Sequence, residues 1–176
     1  MQKAVMFMEL NIRHRLRNIY ISDSDKNDLF VIKSKRFLTN SKTICDINGK
    51  AVYSIRLDPN PLDNRVKYIF TEHETKNEFY AWVDMSLYSN RTFLSRIFLP
   101  PLEFYIEAES FFGEIEIKRK ELRKFYILIN GKVKGFITKN KISCEDIDDK
   151  GLLAMLYVFS VYLSDNEEQF KVADMI

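Results

Sequence analysis

The chain has 176 residues, 46% of them hydrophobic, which suits one globular domain spanning residues 1–176. With 14 Phe, 9 Tyr and 1 Trp it buries too much apolar surface for a disordered tail, and with 5 Gly and 4 Pro it is neither collagen-like nor low-complexity. The 27 basic and 25 acidic residues leave a net +2, which argues against a polycation built for nucleic acid.

From the N-terminus, Ala4 to Met8 is apolar, but Glu9, Asn11 and Arg13 follow. A secretory signal needs about 7–15 apolar residues and a small-residue cleavage site, so none is read here. Read as a strand, Leu10 to Arg17 puts Arg13, Arg15 and Arg17 on one face about 7 Å apart, a spacing able to engage separate phosphates. Phe30–Lys33 is a further short strand, and Cys45 lies in one that leads into a hairpin. Ala51 to Asp58 alternates cleanly, sending Tyr53, Ile55 and Leu57 to a core and Ser54, Arg56 and Asp58 to water. Period two returns at Val66–Glu72, Phe79–Asp84, Phe104–Ala108, Glu114–Lys118, Phe125–Ile129 and Val133–Thr138. Ser86–Pro101 has no place in this pattern and reads as an insertion or a short helix ended by Pro100-Pro101. Short strands without intervening helices predict an antiparallel sheet, and closing it into a barrel removes the exposed edges.

Asn48-Gly49 and Asn130-Gly131 each sit between apolar runs, and Asn-Gly supplies the two positive-φ positions of a type I′ hairpin turn. Ile47-Asn48-Gly49-Lys50 recurs as Ile129-Asn130-Gly131-Lys132, an echo that fits either a duplicated sheet or chance. Gly151 to Leu163 breaks the period: it is apolar all round, preceded by Asp146, Asp148 and Asp149, which suit a helix N-terminus, and ended by Ser164-Asp165-Asn166. Its apolar run, interrupted only by Ser160, is far shorter than the about 20 residues that cross a bilayer. A helix apolar on every face must be enclosed, and a length of about 18 Å at 1.5 Å per residue matches a small barrel. A helix between two sheets, or one at a dimer contact, is the alternative. The tail Glu167–Ile176 reads as a final strand or a frayed end.

The late segment GLLAMLYVFSVYL after its acidic lead, with the hairpins FVIKSKRFLTNSKTICDINGKAVYSI and RKFYILINGKVKGFI, resembles the tubby C-terminal-like superfamily. The LURP-one-related and phospholipid-scramblase-like branches are nearest in size, and the resemblance covers Phe30 to Leu163. It implies a mainly β fold: a closed antiparallel β-barrel of about twelve strands around a buried hydrophobic C-terminal helix, Gly151–Leu163. The phosphoinositide motif of tubby itself has no counterpart here. The metal-binding acidic loop of the scramblase-like branch has none either, because the acidic cluster of this chain precedes the helix. No binding residue carries over from the family.

Catalytic signatures are missing: there is no Gly-x-Ser-x-Gly elbow, P-loop or Gly-x-Gly-x-x-Gly. His14 and His73 share no ligand spacing with either cysteine and read as structural. Cys45 and Cys144 form no Cys-x-x-Cys pair and read as buried, reduced, inert thiols. Glu114 and Glu116 fall on one strand face beside Lys118 and read as solvated, and Glu145 to Asp149 lacks EF-hand spacing. Basic clusters stand out at Arg13, Arg15 and Arg17, at Lys118, Arg119, Lys120, Arg123 and Lys124, and at Lys33, Lys35 and Arg36. Anionic lipid attracts such groups at about 1 kcal/mol each, although nearby acids such as Glu114, Glu116, Glu121 and Asp146 are placed to neutralise them as an ordinary exterior.

The sequence therefore reads as a non-enzymatic binding or adaptor module that engages anionic, phosphoinositide-like phospholipid head groups or a protein partner. Its candidate site is Arg13, Arg15, Arg17, Lys118, Arg119, Lys120, Arg123 and Lys124. No catalytic residue, metal, cofactor, nucleic-acid partner or transmembrane segment is expected, and the location expected is cytoplasmic, peripheral at the membrane. The alternative function is an intracellular carrier holding a small apolar ligand inside the barrel.

Overall fold

In this computed structural model, residues 7–15, 18–33, 41–58, 66–83, 103–108, 113–121 and 124–163 are described. The chain forms strands β1 (Phe7–Arg15), β2 (Asn18–Ser22), β3 (Asp28–Lys33), β4 (Ser41–Asp46), β5 (Ala51–Leu57) and β6 (Val66–Glu72), most of them at the period-two runs. They continue as β7 (Glu78–Val83), β8 (Glu103–Ala108), β9 (Gly113–Glu121), β10 (Lys124–Ile129), β11 (Lys132–Thr138) and β12 (Lys141–Glu145). Helix α1 (Lys150–Tyr157) follows and passes directly into π-helical turns at Val158–Leu163. The chain is mainly β, with one antiparallel sheet in which each strand pairs with the next in sequence. Strand β12 also pairs with β1, from Phe7↔Glu145 to Asn11↔Lys141. Ser86–Pro101 and Glu167–Ile176 lie outside the described residues.

The inward residues predicted for β5 hold their place, since Tyr53 and Ile55 are buried and Arg56 is exposed. Strand β12 carried no period-two signal, because Ile142, Ser143 and Cys144 are all buried and no polar face alternates with them. Opposite Cys144 stands Gly135, where an added Cβ would run into the Ser143 carbonyl oxygen and come within 2.8 Å of Cys144 Cα.

The helix is covered from several directions. It packs on β1, β4, β5 and β12, its π-helical continuation reaches β11, and Phe159 meets Tyr68 and Phe70 of β6 edge to face. Leu153 to Phe159 are buried without a break, as an all-round apolar helix requires. Of the acidic lead, Asp149 supplies the N-cap: its carboxylate accepts from the amides of Gly151 at 2.7 Å and Leu152 at 3.1 Å. The Tyr53 hydroxyl donates to the same carboxylate at 2.7 Å, tying the helix start to β5. Gly151 fits beneath that ring, where a Cβ would lie 2.6 Å from Tyr53 Cε2. The buried Ser160 hydroxyl is satisfied by the Leu156 carbonyl at 2.7 Å. No described helix is long and apolar enough to cross a membrane.

The two Asn-Gly turns differ from each other. Asn130 (φ 50°) and Gly131 (φ 73°) both take positive φ, as a type I′ turn demands. At the other turn only Gly49 (φ 86°) does, and the expectation for Asn48 is corrected. There the Asp46 carboxylate organises the loop by accepting the amides of Asn48 at 2.9 Å and Lys50 at 2.8 Å, so the strain falls on the glycine alone. Asp23 builds the β2–β3 turn in the same way, with Lys26 (φ 67°) in the glycine's place. The four-residue echo thus marks the β4–β5 and β10–β11 hairpins, but Ile47 is 63% exposed in its turn while Ile129 is buried at the end of β10.

A candidate anion-binding cleft

The cleft arises where the sheet is staggered about β1. Strand β12 covers Phe7 to Asn11 on one side, and β2 covers Asn11 to Arg15 on the other. Beyond this register Asn140, in the β11–β12 turn, takes the Ile12 amide at 2.8 Å. A cleft of about 710 Å³ opens along the second half of β1. Its walls carry Arg13, His14 and Arg15 from β1, Lys26 from the β2–β3 turn, and Lys139 and Asn140 from the β11–β12 turn. Asn11, Ile12 and Ser22 also line it, and no carboxylate is among the described residues that do.

Alternation splits these groups between two sides of β1. Arg13 and Arg15 point away from the core and His14 shares the side of the buried Leu10 and Ile12. Arg13 forms an ion pair with Asp28 of β3, while its buried Nε has no hydrogen-bond partner among the described residues. The Arg15 guanidinium lies 5.7 Å from the centre of the Tyr20 ring, a cation–π contact that leaves its charge available. Asp23, near Lys26 in sequence, is held below the usual carboxylate range chiefly by the Asn27 amide. Behind this wall the buried Tyr157 of α1 holds two lining residues: its hydroxyl lies 2.9 Å from the Lys139 carbonyl oxygen and 3.0 Å from His14 Nε2. His14 Nε2 is also 3.3 Å from that carbonyl.

The residues chosen from sequence do not make one surface. Arg13 and Arg15 enter the cleft, but β10, β11 and β12 stand between β1 and β9 in the strand order. On β9 the pleat of the backbone, which sends successive side chains to opposite faces, divides the basic run. Lys118 faces outward, bonded to Glu116 at 2.8 Å, whereas Arg119 is only 6% exposed and shares the side of Ile115 and Ile117. Within the expected basic cluster, Lys118 and Arg119 therefore stand on opposite faces, and the expectation for Arg119 as a surface contact is corrected. Lys124 on β10 sits over Tyr126, 5.2 Å from the ring centre. Arg17, Arg123, Lys35 and Arg36 lie outside the described residues, and of Lys33 and Lys120 only the backbone is described. Sequence reasoning missed Lys26, Lys139 and Asn140 and set His14 aside as structural. Single residues in separate turns carry no spacing signal, and only the stagger about β1 brings them together.

Cys45 and Cys144 are both free and buried. Burial, assisted by Asp146 and Glu145, pushes the Cys144 thiol up to about 12, the opposite of what a nucleophile needs. Among the described residues no group of three or more His, Cys, Asp or Glu side chains is placed to hold a metal ion.

No model of a known protein family matches the chain, and no curated protein does. A protein of Arabidopsis thaliana solved by X-ray crystallography shares its fold, with a TM-score of 0.55 over 92% of each chain and 15% identity.

Proposed function

We propose that the chain is a non-enzymatic binding or adaptor module: a closed β-barrel of the tubby C-terminal-like kind whose cleft along β1 engages anionic phospholipid head groups at a membrane surface. The observation that carries this reading is the convergence of Arg15, Lys26 and Lys139 on a cleft whose described walls hold no carboxylate. Elsewhere Lys118 is met by Glu116, Lys134 by Asp146 and Lys141 by Glu9. Arg15, Lys26 and Lys139 come from separate elements and share one concavity, where like charges raise the local potential for an anion. The carrier reading has less support, because Leu153 to Phe159 occupy the interior that an apolar ligand needs.

Co-sedimentation with phosphatidylcholine vesicles, with and without phosphatidylserine, tests the proposal. At about 1 kcal/mol per cation near an anionic surface, replacing Arg15, Lys26 and Lys139 by Gln removes about 3 kcal/mol, or about a hundredfold in binding at low salt. Replacing Lys118 and Lys124 by Gln leaves most of the binding intact. High salt weakens the wild type toward the triple variant. Wild-type protein that ignores phosphatidylserine vesicles at low salt overturns the proposal.

A further inference from the structure

We infer that Tyr157 of the central helix is a positioning residue for the cleft, so that the seating of the helix and the affinity of the cleft for an anion form one linked equilibrium. The inference rests on the cleft being an anion site. Tyr157 is fully buried and is not among the residues that line the cleft, yet its hydroxyl touches two that do. It donates to the Lys139 carbonyl at 2.9 Å and meets His14 Nε2 at 3.0 Å. A carbonyl oxygen only accepts, so the phenol proton lies toward Lys139 and a lone pair faces His14. One oxygen of the core thus joins the β11–β12 turn to β1.

The β11–β12 turn is where the linkage acts. Lys139 and Asn140 are its central residues, between the paired Thr138 and Lys141. Three bonds fasten it: the Thr138 hydroxyl donates to the Lys141 carbonyl at 3.2 Å, the Asn140 carbonyl accepts the Ile12 amide at 2.8 Å, and the Lys139 carbonyl accepts from Tyr157. Of these three, only the Tyr157 bond comes from the helix. Without that hydroxyl the Lys139 carbonyl keeps the longer contact with His14 Nε2, at 3.3 Å. Cations already held in place bind an anion without first losing backbone freedom, and a turn freed at one point gives up part of that advantage. The helix has little room to compensate, because two residues on Phe159 is seated against the rings of Tyr68 and Phe70 of β6. The end of α1 is thereby held between the cleft wall and β6. Such a linkage is reciprocal: an anion that favours the fastened turn favours the seated helix by the same factor.

The test is titration with inorganic phosphate at pH 8, followed by the amide shifts of Lys139 and Asn140. Tyr157→Phe removes one oxygen and should weaken phosphate binding about three- to tenfold, the range of one hydrogen bond. A merely structural role would act through stability alone. The comparison is therefore Ile55→Val, which trims a fully buried side chain on β5 that does not line the cleft, read at a temperature where both variants are folded. It should bind phosphate as the wild type does. In wild-type protein labelled with carbon-13 in tyrosine, the Tyr157 ring signal should move during the titration with the midpoint of the Lys139 amide, although the ring touches no solvent. A folded Tyr157→Phe protein that binds phosphate like the wild type overturns the inference and leaves the anion site standing. So does an Ile55→Val protein weakened as much, or a Tyr157 signal that stays fixed to saturation. Where Tyr157→Phe does not fold, the wild-type ring signal decides. Wild-type protein that binds no phosphate overturns the anion site and the inference with it.

Discussion

Truncating Phe159 to alanine tests whether the end of the central helix is enclosed. The side chain is 1% exposed, and its ring lies 5.2 Å from that of Tyr68 and 5.1 Å from that of Phe70, both edge to face. A Phe→Ala change in a packed core costs about 3–5 kcal/mol, since the lost transfer energy adds to a cavity that neighbours fill only in part. Here the neighbours are rings on a paired strand, which have little freedom to collapse, so the upper half of that range is expected. For a chain of this size about 2–4 °C of melting temperature accompanies each kcal/mol, giving a drop of about 8–20 °C. Phe159→Leu, which keeps most of the volume, should cost less than half as much. Urea unfolding followed by circular dichroism reads both, and an unchanged denaturant slope shows that native compactness is retained. A Phe159→Ala protein within about 0.5 kcal/mol of wild type would refute the reasoning and place that face of the helix outside the core.

Two further outcomes follow from the geometry. The Cys144 thiol ordinarily titrates near 9.0 but is pushed to about 12 in the fold, so the folded chain keeps a proton that the unfolded chain releases. Its contribution to stability is complete below pH 9 and is lost as pH rises toward 12, with Tyr53, also raised by burial and by Asp149, acting in the same direction above pH 10. Melting temperatures across this range should fall more steeply for wild type than for Cys144→Ala, and native Cys144 should resist iodoacetamide at pH 8. At the hairpins, Asn130→Ala should cost about 1–2 kcal/mol, because alanine tolerates positive φ poorly and the Asn130 side chain also accepts the Glu114 amide at 3.3 Å. Asn48→Ala should stay within about 0.5 kcal/mol in the same urea assay, because Asn48 does not take positive φ and Asp46 holds that loop.

What was legible in the sequence follows from which forces act locally. Tyr53, Ile55 and Arg56 alternate because one face of β5 meets the core and the other meets water, and that contrast is written at period two. Where both faces are buried, as at Ile142, Ser143 and Cys144, the contrast vanishes and the strand goes unread. The all-apolar run after Asp149 announced an enclosed helix, and the carboxylate that caps it sits where the acidic lead placed it. Composition alone could not give the candidate site. Lys118 and Arg119 look like one cluster in a line of text, yet neighbouring strand residues point to opposite faces. Lys26 and Lys139 look unrelated, yet the register of β1 with β2 and with β12 brings their turns to one cleft. The turns tell the same story: Asn48-Gly49 and Asn130-Gly131 share letters, and the acid at Asp46 changes how the first one closes.

The central claim, that the cleft along β1 is where the chain meets an anion, is tested most directly by mapping backbone amide shifts during titration with inorganic phosphate. The account expects saturable shifts concentrated at Arg13, His14, Arg15, Lys26, Lys139 and Asn140, fading as salt is raised. Shifts centred on Lys118 and Lys124, or spread evenly over the exposed lysines, would contradict it.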